Sequence, residues 1–163
     1  MSTTPQRSRF DTPHDLTGLE LLEAFHTGAL PRSPMGETIG WRYVHVEPGL
    51  VRLAVTPGRH LYNPTTVHGG AMAAMLDAAL WAAVASHLPA GAHAVTIDLK
   101  TTFVAAPGRD CGELTVTGRA IDVRRSLGMA EGRLEDAHGK LYCHGTATLN
   151  ITRRKDVADG DEG

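Results

Sequence analysis

The order of hydrophobic patterns along the chain predicts an α+β domain in which one curved antiparallel sheet wraps a long buried helix. Three observations carry this expectation. A run from about Gly69 to Leu88 is apolar nearly all the way round, so it must be buried on most sides. Two short alternating segments precede it, and four more follow it with no helical period between them. Consecutive strands without intervening helices pair mainly as antiparallel neighbours.

Taken in order, residues 1–13 are polar, lack the apolar stretch of a signal peptide, and are expected to form a disordered arm. A single domain is expected over 14–151, with the charged 152–163 as a flexible tail. Within the domain, DLTGLELLEAFHTGAL (15–30) reads as an additional N-terminal helix. Thr17 and Glu20 have capping-box spacing, Leu19, Leu22 and Phe25 share a face, and Gly28 suits the end. Pro31 and Pro34 then break the chain. Ile39–Tyr43 and Val51–Val55 alternate as strands about a Pro48-Gly49 turn. Pro57-Gly58 closes the second, a loop leads to Val67, and the central helix stops at Pro89 and Gly91.

After the helix, Val95, Ile97, Leu99, Thr101 and Phe103 alternate with polar neighbours and predict a strand with these residues on one face. Further strands are expected around Leu114–Thr117, Leu127–Leu134 and Leu141–Leu149. Turns separate them at Pro107-Gly108, Arg124-Arg125 and His138-Gly139.

Composition narrows the function classes. A formal net charge of −2 gives no electrostatic case for nucleic acid or an anionic membrane. The apolar run Val67–Val84 is barely long enough to span a bilayer and carries Asp77 at its centre, so a buried core helix explains it better. Cys111 and Cys143 have no metal-like spacing, and a reducing cytoplasm is the expected setting. Gly-x-Ser-x-Gly, HExxH and Gly-rich phosphate motifs are missing, and no cofactor or metal is called for.

Asp77 is the first residue with a chemical meaning. It lies mid-helix among Met75, Leu76, Ala78, Ala79 and Leu80. A carboxylate in such surroundings costs several kcal/mol unless it is paired, so it is there for function or for a structural hydrogen bond. His68-Gly69-Gly70 stands where the helix begins. Unpaired N–H groups and the positive end of the helix dipole can hold an oxyanion there, and glycine admits a carbonyl close to the backbone. The alternative is that the glycines permit a tight turn and His68 caps the helix. Gly69 and Asp77 are separated by about 12 Å along a helix axis, too far to act on one carbonyl carbon. Two such helices antiparallel across a two-fold axis bring Asp77 of one towards Gly69 of the other, so a catalytic role for both implies sites shared between subunits.

Asn63-Pro64, Val67-His68-Gly69-Gly70, Asp77, Arg124-Arg125-Ser126 and the GKLYCHGTAT stretch (139–148) together resemble the phenylacetate-degradation (PaaI-like) branch of the hotdog thioesterases, over about Gly36 to Ile151. That resemblance implies a hotdog fold, a homodimer or homotetramer, and hydrolysis of an aromatic or short- to medium-chain acyl-CoA. It implies Asp77 as nucleophile or general base, and Gly69 as an oxyanion donor with Gly70 beside it. His68 and Asn63 would shape that corner, and Thr96 would assist the attacking water. Arg124, Arg125 and Ser126 would meet the phosphates of CoA, and Trp81 would wall the acyl pocket or pack in the core. The segment between Asn63 and His68 is one residue shorter than is usual in the family, which leaves a turn-forming role for Asn63 open. A non-catalytic acyl-CoA-binding hotdog module is the alternative from a different class. A hotdog dehydratase is a third reading, which the HGG context disfavours.

Overall fold

The computed structural model describes residues 15–153. The arm expected at 1–13 and the tail from residue 154 onward lie outside the described residues.

Helix α1 (Gly18–Thr27) begins as its capping box requires: Glu20 N–H donates to Thr17 Oγ1, and Thr17 N–H donates to the Glu20 carboxylate at 2.8 Å. It ends at Gly28, whose φ of 78° is the left-handed conformation that suits glycine. Helix α2 (Pro34–Ile39) corrects the expected first strand. Ser33 caps it and Pro34 occupies its first turn, a start signal that outweighs the alternation of Ile39, Trp41 and Tyr43. Strand β1 is therefore Arg42–Glu47, and it turns at Pro48-Gly49 into β2 (Leu50–Val55).

A two-residue hairpin, β3 (Tyr62–Asn63) and β4 (Thr66–Val67), leads into the central helix α3 (Gly69–Ala85). The remaining strands are β5 (Ala92–Phe103), β6 (Leu114–Val123), β7 (Leu127–Asp136) and β8 (Leu141–Arg153). Strand β8 thus runs two residues into the expected tail. Six strands form one antiparallel sheet in the order β1-β2-β6-β7-β8-β5, curved around α3. This is the hotdog fold.

The close approach of helix and sheet has a simple cause. Gly118, Gly132 and Gly145 pair across β6, β7 and β8 and form a row facing α3. A Cβ at Gly118 would overlap the Ala79 carbonyl; at Gly132 and Gly145 it would fall 2.9 Å from the side chains of Leu80 and Leu76 respectively. Without side chains in that row, Leu76 and Leu80 reach the sheet and are fully buried.

Strand β5 departs from the predicted alternation. A bulge between Thr96 and Asp98 shifts its register against β8. Val95 and Ile97, expected to share one face with Leu99, are instead 60% and 63% exposed. Ala94 is buried in their place. The bulge reverses the facing parity partway along the strand, which a strict two-residue period cannot anticipate. β5 is also an edge of the sheet, paired only with β8.

Candidate active site

The site is built along the seam between α3 and β5. At the N-terminus of α3, His68 is the N-cap, with extended backbone (φ −62°, ψ 135°). Its ring Nδ1 accepts the Gly70 N–H at 2.9 Å, which assigns the ring proton to Nε2. Its carbonyl accepts from Ala71 and Met72, and its own N–H donates to Leu61 O at 2.7 Å. Only Gly69 in this first turn keeps an N–H with no hydrogen-bond partner among the described residues. His68 thus caps the helix, and in doing so leaves a single donor at its positive end. A Cβ at Gly69 would lie 3.4 Å from the half-exposed ring of Phe103.

Two turns along the same helix, half-buried Asp77 accepts a hydrogen bond at Oδ1 from Thr96 Oγ1, 2.9 Å away. Thr96 sits at the β5 bulge, so the irregularity that exposes Val95 and Ile97 coexists with a hydroxyl turned onto the carboxylate. No hydrogen bond engages Asp77 Oδ2 among the described residues. One further turn on, Trp81 Nε1 donates to Ala94 O at 3.0 Å, a second tie between α3 and β5. Asp77 and Gly69 belong to one unbroken helix, which fixes their separation near 12 Å.

Other expected residues fall elsewhere. Asn63 is exposed and pairs with Thr66 across the hairpin, whose two-residue turn is Pro64-Thr65. Arg124, Arg125 and Ser126 form the β6–β7 turn, where Arg124 N–H donates to Leu127 O and Ser126 O accepts from Ile151. The Arg124 guanidinium is held by Asp122 at 2.6 Å. With His87 and Arg153, Arg124 and Arg125 line an open cavity of about 700 Å³ beside the residues that follow α3. Asp77 is not among the residues that line this cavity. Among the described residues no group of three or more His, Cys, Asp or Glu side chains could hold a metal ion.

Two features of the seam had no sequence signal. Phe103 stands beside Gly69, and the buried Thr101 hydroxyl has no hydrogen-bond partner among the described residues. Both lie beyond the bulge, and their surroundings come from other segments of the chain, which alternation along β5 does not reveal.

The sheet order and the central helix define a hotdog fold. Residues 65–143, which hold α3 and most of the sheet, match the family model described as the thioesterase superfamily. A search of curated proteins finds no match. Among solved structures, the chain resembles a putative thioesterase, a phenylacetic acid degradation-related protein from Ralstonia eutropha. It is 26% identical with a TM-score of 0.72, and the match covers 79% of this chain and 98% of that one. A thioesterase from Haemophilus influenzae superimposes with a TM-score of 0.74 at 16% identity, covering 85% of this chain and 94% of that one. A thioesterase family protein from Silicibacter pomeroyi gives 0.72 at 22%, covering 82% and 99%. The resemblance read from the HGG and Asp77 motifs therefore holds for the fold, and residues 65–143 carry the match to the superfamily model. No helix among the described residues is long and apolar enough to cross a membrane.

Proposed function

We propose that the protein hydrolyses acyl-CoA thioesters at sites shared between two copies of the chain. The observation that carries this reading is the pairing of Thr96 with Asp77 on a half-exposed face of α3, in a helix whose Gly69 N–H is left without a partner. The two groups suit opposite sides of one thioester, yet one helix holds them about 12 Å apart. An antiparallel partner removes that distance. The bare edge of β5, with Val95 and Ile97 exposed, supports such a pairing, since an open apolar edge invites a second strand. A dimer of dimers is the larger assembly proposed.

Asp77 supplies the attacking oxygen, either its own or that of a water from which it takes a proton. Thr96 holds the carboxylate through Oδ1 and leaves Oδ2 for this task. As the new C–O bond forms, negative charge builds on the thioester oxygen, where the partner subunit's Gly69 N–H and helix end meet it. Collapse of the tetrahedral adduct breaks the C–S bond, and the departing CoA thiolate takes the proton that Asp77 removed from the water, or one from solvent when Asp77 itself attacks. When Asp77 itself attacks, water hydrolyses the resulting acyl-enzyme in a second step.

His68 and Gly70 act by fixing the helix start, and Asn63 by shaping the hairpin that delivers it. Arg125 and Arg124, the latter after exchanging Asp122 for a phosphate, are the proposed contacts for CoA, with Ser126 between them and β7. The two free thiols suit a reducing cytoplasm.

The test is thiol release from phenylacetyl-, benzoyl-, acetyl-, hexanoyl- and decanoyl-CoA by the wild type and Asp77→Asn. Release by the wild type that falls at least about 100-fold in the variant is expected, the scale of losing a general base. Tight binding of an acyl-CoA with no release would replace this reading with a non-catalytic binding module.

A further inference from the structure

Helix α1 does more than cover the end of the domain. It is pinned at both ends, Gly18 N–H donating to Leu88 O at 2.9 Å and the His26 ring bonding Tyr43 O at 2.9 Å. Gly18 approaches α3 so closely that a Cβ would overlap the Ala85 carbonyl. Although fixed this tightly, α1 does not fill the space beneath it. A cavity of about 340 Å³ lies between α1, β1, the start of β5 and the C-terminal half of α3. Interiors hold few voids larger than a water molecule, whereas this volume falls in the range of small-molecule pockets.

The wall of the cavity has an unusual composition. Phe25, Trp41, Tyr43 and Trp81 all line it, half of the chain's eight aromatic residues and both of its tryptophans. Phe25 and Tyr43 stack with ring centroids 5.7 Å apart and planes within 15°. The Trp81 N–H is spent on Ala94 O, so that ring presents carbon to the cavity. The Tyr43 hydroxyl has no hydrogen-bond partner among the described residues, and burial pushes its pKa up to about 12, which keeps it a neutral phenol able to donate.

The cavity also adjoins the proposed chemistry. Ala78, the residue after Asp77, and Trp81, one turn beyond it, are both in the wall. The hydrogen bonds Thr96–Asp77 and Ala94–Trp81 are successive ties along one seam, the first at the carboxylate and the second at the cavity.

We propose that the cavity roofed by α1 is the chamber for the acyl group of the thioester cleaved at Asp77, and that Phe25, Tyr43 and Trp81 set which acyl groups fit. The acyl group passes Ala78 and lies between the Trp81 ring and the Phe25–Tyr43 stack. Such a slot suits a compact, ring-bearing acyl group and rejects a long unbranched chain, because α1 closes the far side. This inference rests on the thioesterase reading above and adds the residues that select the substrate.

Two variants of α1, away from Asp77 and Gly69, test it. Phe25→Ala opens the chamber and Leu21→Trp fills it. Across the five thioesters above, the wild type is expected to favour phenylacetyl- over decanoyl-CoA. Phe25→Ala should raise the decanoyl/phenylacetyl ratio of kcat/KM at least about tenfold. Leu21→Trp should lower the phenylacetyl/acetyl ratio by a similar factor, the scale of adding or removing apolar contacts in a pocket. The non-hydrolysable ketone S-phenacyl-CoA supplies a readout independent of turnover. It should change the emission of Trp41 and Trp81 in the wild type and do so more weakly in Leu21→Trp after correction for the added tryptophan.

Unchanged ratios in both variants, each shown to be folded and of native assembly by circular dichroism and sedimentation, would overturn the chamber while leaving thioester hydrolysis in place. Hydrolysis of none of the five by the wild type would instead remove the parent reading, and the chamber with it.

Discussion

Both halves of α3 are rich in alanine, yet the fold treats them very differently. From Ala79 to Ala85 every side chain except Trp81 is buried, enclosed by the sheet on one side and by α1 on the other. From Gly69 to Ala78 only Met72, Met75 and Leu76 are buried. Gly69, Ala71, Ala73, Ala74, Asp77 and Ala78 remain half-exposed. Composition does not produce this contrast; coverage does. The C-terminal half is a core element, and its requirement is close packing. The N-terminal half carries the carboxylate and the unpaired N–H, and its small side chains leave an open face that a second subunit can occupy.

The largest effect should come from denying that open half its partner. Replacing Val95 and Ile97 together with Asp puts like charges along the bare β5 edge. Sedimentation should then show a monomer, with thiol release down at least about 100-fold because each Asp77 loses the opposing N–H. A monomeric double variant with wild-type turnover would break the comparison at its root.

The covered half is sharpened by Gly118→Ala. One methyl group must push α3 off the sheet at Ala79, and overpacking of this kind costs about 1–3 kcal/mol, read from denaturant or thermal unfolding. An equal methyl at Gly69 meets only the half-exposed Phe103 ring and should cost much less. Equal destabilisation by the two substitutions would erase the distinction.

A smaller effect is expected from Thr96→Val, which keeps the shape of the seam and removes the hydrogen bond to Asp77. A typical hydrogen bond is worth about 1 kcal/mol net, so turnover should fall about fivefold, with any loss of stability no larger than that. A loss of stability without a loss of rate would make Thr96 a packing residue.

How much of this was legible in the sequence follows the same division. Local signals were readable wherever a few neighbouring residues decide the structure: the Thr17–Glu20 box, Gly28 as a left-handed cap, the start of α3 at Gly69, and Asp77 as a carboxylate out of place in an apolar run. Thr96 was singled out by analogy with related proteins, and its bond to Asp77 now has a geometric basis. What could not be read depends on register or on distant segments meeting. The β5 bulge reversed the facing of Val95 and Ile97, and no local residue type announces a bulge there. The glycine row across β6, β7 and β8 is visible only once Gly118, Gly132 and Gly145 are aligned by pairing. The cavity under α1 joins residues from α1, β1, α3 and β5, so no window of sequence contains it.

The central claim, that one site draws Asp77 and Gly69 from different chains, is tested most directly by subunit mixing. Gly69→Pro removes the N–H at the first position of the helix, where proline is well tolerated, and Asp77→Asn removes the carboxylate. Each variant alone should be inactive. After random exchange of equal amounts, half the dimers are mixed and each mixed dimer holds one intact site, so about a quarter of wild-type thiol release should return. Two inactive variants whose mixture stays inactive despite verified exchange would contradict a site shared between subunits.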